Sequence, residues 1–233
     1  MKKNNVIEMP LKKSVLWRDI VLMSLYPLLS AWVVQKLGGM TTDTTLQNFI
    51  MMAANWVWYF VTWLMVTKIE RRSMAPYKIK EWALLWQLLL GILLGLLIFL
   101  ITFLMPALIQ GRTIMVNPYP PRVTRGLMTF TLFNQFLFVG PIEELVYRGY
   151  LLDRCREATG SKWGAVLIMT CLFVLPHIVT SGFGIYLLSP MVLSLLTAIV
   201  RVKLKLGSIF ALGVAHALAN SLLTLCSIYL MMM

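Results

Sequence analysis

The chain has 233 residues, 59% of them hydrophobic and only 13% charged, with 21 Lys and Arg against 9 Asp and Glu, for a net charge of +12. With a mean hydropathy of +0.79, that much apolar surface exceeds what a soluble fold of this size can hide, whereas lipid accommodates it. The apolar runs are continuous rather than alternating, which excludes a β-barrel. The basic residues mostly flank apolar runs in short loops, so the charge points to membrane topology and anionic lipid rather than to nucleic acid.

Seven apolar segments follow in chain order: Ile20–Leu37, Phe49–Val66, Trp82–Ile109, Leu127–Leu152, Trp163–Val179, Ile185–Val200 and Leu206–Met233. A span needs about 20 residues, so the expectation is an all-α, polytopic membrane bundle of seven transmembrane helices. The count becomes eight if the third segment is a span plus a surface piece ending at Pro106. With the N-terminus in the cytoplasm, sixteen of the 21 Lys and Arg fall on the cytoplasmic side, as the positive-inside rule demands. Arg112, Arg122 and Arg125, beside Pro118, Pro120 and Pro121, run against that assignment. The basic stretch Met1 to Lys13 leads into a first membrane helix rather than a cleaved signal. The eight tryptophans are expected mostly near span ends, and the sixteen methionines as lipid-facing or packing filler. Cys155, Cys171 and Cys226 show no CxxC spacing and imply no disulfide framework.

Against this apolar background Gly140-Pro141-Ile142-Glu143-Glu144-Leu145-Val146-Tyr147-Arg148 stands out. A charge at mid-bilayer costs about 3 kcal/mol or more, so ionisable residues there usually serve a site. Glu144 and Arg148 are four apart, the favourable order for an ion pair on one helix face. Glu143 points about 100° away and is left to face other helices, as suits a general base. Pro141 deprives the Leu137 carbonyl of its helical partner, and Pro176 does the same to Leu172; freed carbonyls at membrane depth call for polar company.

Both histidines of the chain also lie in apolar segments. His177 follows Phe173-Val174-Leu175-Pro176, and His216 lies four residues before Asn220 on one helix face. Counted at 1.5 Å per residue from the cytoplasmic end of each span, Glu143 lies roughly 16 Å deep, His177 roughly 22 Å and His216 roughly 14 Å. Tilt blurs each figure by several Å, so the three fit one layer. Glu143 and His177 are suited to hold and deprotonate a water. His216 and Asn220 are suited to donate to the oxyanion formed as that water attacks a peptide carbonyl. A nucleophile elbow, a Walker loop and HExxH are all absent. An intramembrane Glu also suits a proton-coupled transporter, but no inverted repeat accompanies it.

Glu143-Glu144-x-x-x-Arg148, Phe173-x-x-x-His177 and His216-x-x-x-Asn220 resemble the three motifs of the CPBP family, which covers CAAX-prenyl proteases and bacteriocin-processing or immunity (Abi) proteins. The resemblance spans about 127–225 and implies a catalytic core there, with residues 1–110 supplying further membrane helices. It implies an intramembrane endopeptidase acting on a peptide or protein, lipidated or bacteriocin-like, near the cytoplasmic face of a bacterial plasma membrane. The alternative is a non-catalytic immunity or binding protein. By the same resemblance Glu143, His177, His216 and Asn220 are the catalytic residues, with Glu144 and Arg148 as structural support. The expectation is a metal-free centre; if zinc were bound, Glu143, His177 and His216 would be its ligands.

Overall fold

The computed structural model describes residues 11–38, 40, 43–79, 81–110, 125–204 and 207–232. Among these the chain is all-helical, with no strand. The helices are α1 (Lys13–Gly38), α2 (Thr44–Leu64), α3 (Leu84–Gln110), α4 (Arg125–Asn134), α5 (Gly140–Glu144), α6 (Leu152–Thr159), α7 (Lys162–Ser181), α8 (Leu188–Lys203) and α9 (Ile209–Met232). Each of the seven apolar segments corresponds to one helical run, because a backbone in lipid must satisfy its polar groups within the segment. Five stretches are long and apolar enough to cross a membrane: Phe49–Ile69, Leu84–Phe103, Lys162–Val179, Ile185–Lys203 and Ile209–Cys226. The protein is thus an integral membrane protein. Pro106 lies inside α3 rather than ending it. Arg112, Arg122 and the prolines between 111 and 124 lie outside the described residues, as does the basic stretch 1–10.

The run from 125 to 159 is helical throughout but not uniformly α. Two π-helical segments, Gln135–Val139 and Leu145–Leu151, flank α5. Pro141 explains the first. It lacks an N–H and its ring crowds the carbonyl four residues back. Just before it the Gly140 N–H bonds to the Gln135 carbonyl, five residues back, as a π turn requires. The ladder widens at the proline, a register that a 3.6-residue period does not anticipate. In the second segment the Arg148 carbonyl accepts from Arg201 Nε at 3.4 Å, and Arg201 also donates to the Gly207 carbonyl at 3.2 Å. A side chain from α8 thereby serves a carbonyl of the irregular backbone.

Gly160 ends α6 at φ +68°, its N–H returning to the Arg156 carbonyl at 2.9 Å. Only glycine adopts that conformation without cost. Ser161 then caps α7, accepting from the Gly164 N–H at 3.1 Å. This two-residue turn folds α7 back along the 125–159 run.

Small residues decide how close α9 comes. A Cβ at Gly91 would meet the Ala211 carbonyl oxygen at 2.6 Å, and one at Gly95 the Ala215 carbonyl oxygen at 2.8 Å, so α3 and α9 touch backbone to backbone. The same holds on the other side of α9. A Cβ at Gly140 would lie 2.6 Å from the Gly213 carbonyl oxygen, and one at Gly213 3.2 Å from the Pro141 Cα.

Trp17, Trp32, Trp56, Trp86 and Trp163 are exposed to the surroundings, but Trp58 is buried, stacked on Tyr26 at 5.5 Å and edge-on to Tyr147 at 5.1 Å. It is a core residue, an exception to the mostly interfacial placement expected. The three cysteines are free thiols, and burial pushes that of Cys155 up to about 12.

Candidate active site

Glu144 and Arg148 are both fully buried, and Glu144 Oε1 lies 3.1 Å from Arg148 Nη1. The two meet as an ion pair; none of the three guanidinium nitrogens has a hydrogen-bond acceptor among the described residues. The guanidinium instead lies over the Phe173 ring, 4.3 Å from its centroid. The same Glu144 Oε1 meets His216 Nδ1 at 2.9 Å. A carboxylate accepts through two oxygens with several lone pairs, so Glu144 serves Arg148 and His216 together. Helical spacing points only to the Arg148 pair.

Glu143 stays partly open, its side chain 23% exposed, and its Oε2 lies 3.8 Å from His216 Nε2. The two acids thus address opposite nitrogens of one imidazole. The close approach of α5 and α9 at Gly140 and Gly213 makes this reach across helices practicable.

On α7, His177 Nδ1 lies 3.0 Å from the Phe173 carbonyl oxygen. A carbonyl only accepts, so Nδ1 carries the hydrogen and donates, and Nε2 of the neutral ring holds the lone pair. His177 is within electrostatic reach of both Glu143 and His216. Phe173 organises the arrangement: its ring centroid lies 4.7 Å from that of Tyr147, 5.3 Å from that of His177 and 6.1 Å from that of His216. The structure therefore brings together Glu143, Glu144, Arg148, His177 and His216.

Asn220 joins through a residue outside the motifs. Its Nδ2 donates to Gln135 Oε1 at 3.2 Å, from α9 to the first π segment. Gln135, Phe173 and Tyr147 had been given no role from sequence. Nothing in the spacing marks Gln135, because the π turn that re-aims it has no clear periodic signature.

Glu143, His177 and His216 do not converge as a zinc site requires. Among the described residues no three His, Cys, Asp or Glu side chains are grouped to hold a metal ion.

A second charged cluster lies at the end of the 125–159 run. Arg154 donates from Nε and Nη2 to the two oxygens of Glu70 and from Nη1 to Glu157 Oε1 at 2.7 Å. Tyr150 donates to Glu70 Oε1 at 2.8 Å, and Arg72 binds both oxygens of Glu157 at 2.7 and 2.9 Å. Burial disfavours the charged form of Glu157, but the Arg72 hydrogen bond and the charges of Arg154 and Arg72 outweigh it and hold the carboxyl below its ordinary range. Asp153 goes the other way, raised by burial against the pull of Arg201, Arg154 and Arg156. A cavity of about 430 Å³ opens here. Its central charges pair with one another, as in a structural network.

Residues 125–222, somewhat under half of the chain, match the family described as "Rce1-like: Type II CAAX prenyl endopeptidase Rce1-like". That segment contains all three motifs. No curated protein and no solved structure matches the chain. The chain is thus an integral membrane protein whose 125–222 segment is similar to CAAX-type prenyl endopeptidases. That match is in line with the resemblance of the three motifs to the CPBP family.

Proposed function

We propose that the chain is an intramembrane endopeptidase that hydrolyses a peptide bond with a water activated by Glu143, without a metal. The observation that carries the reading is the imidazole of His216 held between two carboxylates, Glu144 at Nδ1 and Glu143 at Nε2, inside the matched segment.

In the proposed reaction a water sits between Glu143 and Nε2 of His177. Glu143 takes its proton as hydroxide attacks the scissile carbonyl. The carbonyl oxygen becomes an oxyanion and receives hydrogen bonds from Asn220 Nδ2 and from His216 Nε2. Because Nδ1 of His216 already donates to Glu144, Nε2 donates only in the imidazolium form, and the buried Glu144 carboxylate balances that charge. Collapse of the intermediate breaks the C–N bond, and Glu143 returns the proton to the leaving amine. Arg148 offsets the second negative charge of the Glu143–Glu144 pair.

The loop charges support an N-terminus in the cytoplasm and cleavage near that face, in a bacterial plasma membrane. The substrate class follows the matched family: a peptide or protein with a lipidated C-terminal tail, bacteriocin precursors being the second candidate. Purified protein in nanodiscs, presented with a quenched fluorescent peptide ending in a farnesylated CAAX sequence, tests the reading. Glu143→Ala is expected to abolish turnover while keeping the thermal transition, and His216→Ala, at a buried position, to abolish turnover per folded molecule. Undiminished cleavage by both variants would overturn it.

A further inference from the structure

We infer that Gln135 is a positioning residue that holds the Asn220 carboxamide against rotation, with Nδ2 available to the reacting carbonyl. The inference rests on the oxyanion role proposed above for Asn220.

A carboxamide has a donor end and an acceptor end of nearly equal shape, and only the donor end stabilises an oxyanion. Left alone, the Asn220 side chain can rotate and present Oδ1, which would repel the developing charge. In the structure Nδ2 donates to Gln135 Oε1 at 3.2 Å. Turning the Asn220 amide alone would set oxygen against oxygen, so the two carboxamides can turn only together. Nδ2 carries two hydrogens; the Gln135 oxygen takes one and leaves the other for substrate.

The backbone is shaped to put Gln135 there. In α geometry the eight residues from Gln135 to Glu143 would separate the two side chains by about 80° round the axis. The π segment Gln135–Val139 lies between them. One extra residue in a turn offsets the register by about 100°, which leaves the two within about 20° of one face. The widened turn set off by Pro141 thereby aims the general base and the amide anchor in the same direction, toward α9. Gln135 and Asn220 are both only half-buried, so the contact is not a core hydrogen bond demanded by burial alone.

The test uses the same peptide and purified full-length protein, with Gln135→Leu, which removes the acceptor, and Gln135→Glu, which keeps one. Gln135→Leu is expected to lower kcat roughly tenfold with KM within about twofold, less than the 10²–10³ typical of deleting an oxyanion donor. Gln135→Glu is expected to recover most of that loss. In an Asn220→Ala background Gln135→Leu is expected to cost nothing further. Wild-type kcat in Gln135→Leu, or an equal loss in the presence and absence of Asn220, overturns the inference. Controls separate it from the reading beneath. If Glu143→Gln retains turnover, the proposed function fails; if Glu143→Gln and Asn220→Ala are inactive while Gln135→Leu is not, only the role of Gln135 fails. The contact is also read without turnover: thermal unfolding of the two single variants and the double is expected to be non-additive, and strict additivity overturns it.

Discussion

The 125–159 run carries two buried charge clusters that handle their charges in opposite ways. At Arg154 each of the three guanidinium nitrogens donates to Glu70 or Glu157, and Arg72 and Tyr150 complete the bonding of those carboxylates. At Arg148 the charge is balanced but the donors are not matched, and Glu144 Oε2 likewise has no hydrogen-bond partner among the described residues. A saturated network fixes geometry; an unsaturated one in a low-dielectric setting retains capacity to interact with something that arrives. The difference teaches where to look for chemistry: burial and charge are common to both clusters, and incomplete satisfaction marks one.

The comparison is open to attack at each end. Glu143→Gln keeps shape and removes the base, so turnover is expected to fall about 10³-fold with little change in the thermal transition. Persistence of cleavage would dissolve the assignment of the inner cluster to catalysis. Glu70→Ala strands Arg154 in a buried site, and loss of one partner of such a pair costs about 3–5 kcal/mol. Thermal unfolding reports it, while turnover per folded molecule is expected to hold; a specific loss of kcat would mean that the outer cluster is not purely architectural. Arg72→Ala, at an edge where the Glu157 side chain is 36% exposed, is expected to cost about 1 kcal/mol or less.

Its pH signature is more telling. Because Glu157 titrates below its ordinary range in the fold, its contribution is present above the unfolded value and disappears as pH falls through the folded one. Wild type is therefore expected to lose stability on acidification, and Arg72→Ala to lose less, as thermal melts across the acid range would show. The smallest effect is on metal: a chelator is expected to leave turnover within about twofold, and strong inhibition reversed by zinc would contradict the metal-free mechanism.

Much of this arrangement was legible in the sequence. Helix positions follow hydropathy because lipid admits few alternatives, and the Glu144–Arg148 pair follows from helical spacing. The proximity of Glu143, His177 and His216 was consistent with a count of depth. What escaped was of a different kind. The second bond of Glu144, to His216, crosses between helices and depends on how closely they approach. The π segments re-aim Gln135, and a pattern built on 3.6 residues per turn cannot register them. Trp58 is a core residue because Tyr26 and Tyr147 sandwich it, which only the packing reveals.

The contact of Gly140 with Gly213 has a mechanical meaning as well. Glu143 lies three residues beyond the first glycine and His216 three beyond the second, about 4.5 Å along each axis. The two helices thus meet like scissor blades, with the glycines at the rivet and the proposed reacting pair just up the blades. Moving the rivet apart by a methyl group, as in Gly140→Ala, opens the blades at the tips. A site assembled this way tolerates changes in the length of the surrounding bundle but not in the thickness of its pivot.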